Sequence, residues 1–270
     1  MRKLKKPFFF KGSRLAQNES VVNELLEAVS LEHENLLLPA LATLNNLSYY
    51  PITCQIEVYS RLRGLLLVPD QNVAAEAARV IGNLSRRREV RDCLLDDGFI
   101  QCTAHLLTVE EDMDRQFVAA FVGIIINLMS DSRLRPGFES EEGIQKCVDL
   151  LHSCLDTRDW ELACLVCQAV WNYGIDGQQL SDTIDVQHLN ELEDILVYLL
   201  EAYNDSIEQI EESEAGFSSE NDKEYSSSSA DSWSDQEMML TGSRFCQVSL
   251  TLLKRILDDD SKKVELLIND

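Results

Sequence analysis

Glycine and proline are scarce, with 11 and 5 in 270 residues, and aromatics make up 7%. Few breakers and few aromatics favour an all-helical chain over a sandwich or barrel. Basic residues are also short: 24 Lys and Arg face 47 Asp and Glu, a formal charge of −23. That deficit excludes a general nucleic-acid binder, which needs cations to displace counterions from phosphate. It also excludes docking on anionic lipid. Long apolar runs are missing. The longest, Phe117 to Met129, is interrupted by Asn127, and a bilayer span needs roughly 20 residues. The basic start MRKLKKPFFFKG has only Phe8, Phe9 and Phe10 before Lys11. A secretory signal needs an apolar stretch of about 7–15 residues, so the expected location is cytoplasmic.

What is present is a folded-chain composition, 45% apolar, with eight scattered cysteines that read as reduced, buried thiols. Residues 1–20 read as a basic, disordered segment. Helical text runs from 21 to 204, with a break or kink expected at Pro39. Residues 205–240 hold 11 acids, one Lys and 10 serines, a composition expected of a disordered loop. Helical text resumes over 241–270, expected to complete a degenerate last repeat.

Inside 21–204 the text repeats. ALATLNNLS (40–48), AEAARVIGNLS (75–85), VAAFVGIIINLMS (118–130) and LVCQAVWNYG (165–174) are each helical and each carry an Asn near the end. These are Asn46, Asn83, Asn127 and Asn172, separated by 37, 44 and 45 residues. Gly98 and Gly143, 45 residues apart, each precede an amphipathic helix and suit a sharp turn into the next repeat. A helical period of about 40–47 residues is the signature of armadillo and HEAT solenoids.

The A…L-x-N-L-S ending at Ala78 to Ser85 resembles the third helix of the armadillo family. The resemblance covers residues 20–205, with a weaker continuation over 243–268. It implies an all-α, right-handed solenoid of about four to five three-helix repeats. It also implies a concave groove lined by third helices, whose Asn side chains hydrogen-bond an extended partner. Asp159–Gly174, Asn45–Tyr50 and Ile81–Ser85 are similar to the carboxy-terminal repeats of a branch of that family. That branch is associated with building the axoneme of motile cilia and sperm flagella. Import adaptors of the same fold place Trp one turn before the ladder Asn. Here those positions hold Ala42, Arg79, Gly123 and Gln168, which disfavours the alternative of a karyopherin-like transport adaptor. A generic cytoplasmic signalling scaffold is the other alternative.

An amide is donor and acceptor at once, so the Asn ladder fits pairing with any peptide backbone; the competing reading is that each Asn cross-links its own helices. Arg79 fits a groove cation, against a solvated helix face. Arg86, Arg87, Arg88 and Arg91 form the basic cluster of the repeat body. They could receive an acidic or phosphorylated segment, against the favoured reading of local charge balance. Cys164-x-x-Cys167 lies on a helix without a second ligand pair, so core packing outweighs metal or redox use. Ser219, Ser228, Ser232 and Ser234 each precede an acid by three residues, a weak pattern for phosphorylation. The chain has no phosphate-binding glycine loop, nucleophile elbow or HExxH. The expectation is a non-enzymatic adaptor without cofactor, taking a protein partner rather than nucleic acid, membrane or small molecule.

Overall fold

A computed structural model of the chain describes residues 7–29, 34–105, 107, 114–174, 184–217, 244–254 and 256. Among these residues the regular structure is entirely helical. The chain divides into two compact units, Met1–Gly143 and Ile144–Asp270.

The first unit holds α1 (Pro7–Ala16), α2 (Glu19–Ala28), α3 (Glu34–Ser48), α4 (Gln55–Leu62), a 3₁₀ turn (Arg63–Leu67) and α5 (Gln71–Leu84). It continues through α6 (Arg88–Asp96), α7 (Phe99–His105), α8 (Arg115–Leu128) and α9 (Arg135–Glu139). The third helices α3, α5 and α8 stack in succession, α5 packing on both of the others. Between those neighbours and the 3₁₀ turn, α5 buries Val73, Ala74, Ala75, Ala77, Ala78, Val80 and Ile81. Its alanines let the neighbouring helices pack closely, and such interfaces between successive repeats are a principal source of a solenoid's stability.

Each third helix from α5 onward starts at an aspartate. Asp70 Oδ1 accepts the amides of Asn72 at 2.9 Å and Val73 at 3.3 Å. Asp114 Oδ1 accepts those of Gln116 at 2.7 Å and Phe117 at 3.1 Å. Asp159 caps α11 (Trp160–Tyr173) through Leu162 N at 3.0 Å. Each cap satisfies amides that the helix itself leaves open. Asn83, Asn127 and Asn172 all fall 13 residues after their caps, so the repeat is registered by its helix starts.

The second unit holds α10 (Gly143–Thr157), which begins at the boundary, α11, α12 (Val186–Phe217) and α13 (244–254). Trp160 of α11, Tyr203 of α12 and Phe245 of α13 form one aromatic cluster, with ring centroids 5.6 to 6.0 Å apart. Phe245 is fully buried, so α13 is bound into this core. Residues 144–270 carry 27 acids and 8 bases, a net −19, against −4 for residues 1–143.

Three expectations are corrected. Residues 7–16 are helical rather than loose, because Ala16 is fully buried and its carbonyl accepts Thr53 N at 2.9 Å. Of the break or kink expected at Pro39, the break is absent: Pro39 sits inside α3, which runs on to Ser48. The helix preceding the acidic tract does not stop at 204: α12 continues through Phe217. Ser219, Ser228, Ser232 and Ser234 lie outside the described residues.

Gly98 and Gly143, expected to be equivalent, do different work. Gly98 has φ +62, whereas the matching left-handed residue before α10 is Glu142 at φ +56. Gly143 serves close packing instead: a Cβ there would lie 2.5 Å from the Phe138 ring.

Candidate functional site

The four ladder asparagines are not interchangeable. Asn46 is exposed on α3, and its Nδ2 donates one turn back to the Ala42 carbonyl at 3.0 Å. Asn83 is 8% exposed. Its Nδ2 donates to Asn45 Oδ1 at 3.0 Å and to Ser48 Oγ at 2.9 Å, both on the preceding third helix. Asn127 is half-buried and donates to the Gly82 carbonyl at 2.7 Å and to its own Gly123 carbonyl at 3.4 Å. Asn172, half-buried, is the penultimate residue of α11 in the second unit. Asn83 and Asn127 therefore staple α5 to α3 and α8 to α5. The reason is packing: the whole last turn of α5, Ile81 to Ser85, is buried and faces protein.

Asn45, not Asn46, is the staple partner on α3, and the sequence reading missed it. So did it miss Ser48, Ser85 and Ser130, which return their hydroxyls to the carbonyls of Asn45, Gly82 and Asn127 at 2.6 to 2.8 Å. The recurring serine at each helix end was the available signal.

The basic cluster is largely consumed by the fold. Arg87 donates to Gln55 Oε1 and to the Tyr50 carbonyl, both at 2.8 Å. Arg91 donates to Asp131 Oδ2 and to the Ser85 carbonyl, both at 3.0 Å. Arg133 closes the lattice by pairing with Asp131 and Asp92, each at 2.7 Å. These contacts hold the Asp131 carboxyl far below the usual range, Arg133 contributing most and Arg91 next. Arg86 lies over the Tyr49 ring, 5.9 Å from its centroid, and Arg88 is exposed.

Cys164 and Cys167 sit in the core of the second unit. Burial pushes the Cys167 thiol up to about 12, and the same is true of Cys147. Gln168 Nε2 approaches Cys164 Sγ at 3.3 Å.

A cleft of about 550 Å³ opens across α3, α5 and α8. Leu38, Pro39 and Ala42 come from one face of α3, and Asn72, Ala75, Glu76 and Arg79 from one face of α5; Gln116 begins α8. A polar rail runs along it. Asn45 Nδ2 donates to Glu76 Oε2 at 3.4 Å, Arg79 pairs with Glu76 Oε1, and Arg79 Nη2 donates to Gln116 Oε1 at 2.6 Å. Arg79 lines the cleft, and its charge is already met by Glu76.

The helical fold is matched among solved structures. A structure of computationally designed armadillo repeat proteins for modular peptide recognition superposes with a TM-score of 0.52 at 17% identity, covering 71% of this chain and 90% of that one. A designed armadillo repeat protein in complex with the peptide (KR)4 gives 0.51 at 17% identity, covering 90% of each. In sequence, human armadillo repeat-containing protein 2 is 34% identical over 191 residues, 67% of this chain and 22% of that protein. The mouse protein of the same name is 31% identical over 211 residues, 73% of this chain and 24% of that protein. This chain is an armadillo-repeat protein. It spans about a quarter or less of the curated relatives it matches. No family model matches it. The armadillo register explains the spacing of its caps and staples: one aspartate opens each third helix from α5 onward, and on α5 and α8 one asparagine ties it to the helix before.

Proposed function

We propose that this armadillo-repeat chain is a non-enzymatic adaptor that holds an extended segment of a partner protein against α3, α5 and α8. The observation that carries the reading is the open cleft on the third-helix face. It is supported by a neighbour of the same fold whose structure contains a bound peptide. Contacts to the segment come from exposed groups, the amides of Asn46 and Asn72 above all, since an amide can both donate to and accept from a peptide backbone. Asn83 and Asn127 contribute by holding the third helices in register. The resemblance to the ciliary branch of the family narrows the partner to a protein of axoneme assembly or transport in motile cilia or sperm flagella.

Proximity labelling of the tagged chain in multiciliated cells tests this, with Ala42→Trp as the cleft-filled control. Ala42 is exposed, so the larger ring fills the cleft without entering the core. Enrichment of axonemal or transport proteins that is lost in the variant is expected. Labelling unchanged by the variant overturns the cleft as the binding surface, and enrichment of nuclear import cargo overturns the ciliary assignment.

A further inference from the structure

The chemistry of the cleft points to the kind of side chain it accepts. Its floor is apolar: Leu38, Pro39 and Ala42 on one side, Ala75 on the other. The depth exists because Ala42 and Ala75 end at Cβ; a Trp at the first of these positions would close it. Leu38 is 36% exposed, and its neighbour Leu36 55%, so α3 offers apolar surface that the repeat itself does not cover.

The charges at the rim cancel. Glu76 receives Asn45 on one oxygen and Arg79 on the other, and Arg79 also reaches Gln116. A charged side chain entering the cleft would lose water against Leu38 and Pro39. Among the described lining residues it would find no unpaired counter-ion unless the Glu76–Arg79 pair broke first, which leaves another charge partly desolvated. An aliphatic side chain meets neither cost and gains by leaving water.

We propose that this cleft is an apolar anchor subsite: it takes one aliphatic side chain of the bound segment and discriminates against Lys, Arg, Asp and Glu at that position. The proposal rests on the groove reading above and names the partner chemistry within it. It differs from the neighbour that holds (KR)4, whose peptide consists of basic residues.

The test is a nuclear magnetic resonance titration of the full chain with three acetylated, threonine-rich peptides differing only in a central Leu, Lys or Glu. The Leu peptide is expected to shift the amides of Leu38, Ala42, Asn72 and Ala75. It should bind about tenfold more tightly than the other two, the ratio set by partial burial of one aliphatic side chain. Its affinity should hold when salt rises from about 0.05 to about 0.5 M, since screening acts on charges. Ala42→Trp, with an unchanged melting transition, should abolish those shifts. Tighter binding of the Lys or Glu peptide overturns the apolar subsite while leaving the groove reading intact. Failure of every peptide to shift the cleft amides also overturns it, and the groove reading is then decided by the labelling experiment alone.

Discussion

Asn127 donates its side-chain amide to the Gly82 carbonyl at 2.7 Å, reaching across from one third helix to the one before it. One repeat earlier, Asn83 makes the same kind of reach to Asn45 and Ser48. The residues that resemble a peptide-binding ladder are therefore, in part, the means by which successive repeats hold one another.

The two roles separate by mutation. Asn83→Ala removes a buried donor and leaves Asn45 Oδ1 and Ser48 Oγ short of a partner, so a loss of about 1–3 kcal/mol is expected. Asn46→Ala, on the exposed face, should stay within about 0.5 kcal/mol. Thermal and urea unfolding of the two variants measures both. Equal losses would show that Asn83 is not a staple.

Backbone strain predicts opposite effects at two matched turns. Glu142 holds φ +56 without the freedom of glycine, so Glu142→Gly should raise stability by about 0.5–1 kcal/mol. Gly98→Ala, at φ +62, should lower it by about 1 kcal/mol. Denaturant midpoints at constant m-value decide the signs.

Acid should weaken the turn lattice around Asp131. Its carboxyl is held below the usual range in the folded state by Arg133 and Arg91. The stabilisation is thus fully present above the unfolded carboxylate pKa of about 3.9 and is lost as pH falls towards the folded value. Asp131→Asn should cost about 1–3 kcal/mol at neutral pH and flatten the acid limb of the stability profile. An acid limb of unchanged slope would remove Asp131 from that account.

The thiols should react in order of burial. Cys147 and Cys167 are pushed up to about 12 by burial, so at about pH 8 they carry almost no thiolate. Alkylation of the native chain, read by mass spectrometry, should spare Cys147, Cys154, Cys164 and Cys167 and modify the half-buried Cys54 and Cys93 first. Modification of Cys167 before unfolding would show that the core of the second unit opens.

The division between what was legible and what was not follows helix ends. Apolar spacing, scarce glycine and proline, and the recurring asparagine identified helices and their period, because these are local properties of the chain. The step from Gly98 to Gly143 misled, since one glycine supplies a left-handed turn and the other makes room for the Phe138 ring. Sequence spacing does not distinguish those two uses. Residues 7–16 and 205–217 misled in the same direction: their composition reads as loose, but Ala16 is buried against the first repeats and α12 runs on through Phe217.

The sequence by itself determined an all-helical armadillo chain and the register in which its third helices recur. Patterns of apolar residues and capping aspartates act within a few turns of where they stand. Which asparagine stays exposed and which is spent between helices, and whether Arg79 is a free cation or half of a neutral pair, only the tertiary structure decided. An amide or a guanidinium carries the same capacity everywhere. Its use depends on which carbonyl or carboxylate the neighbouring repeat brings within about 3 Å.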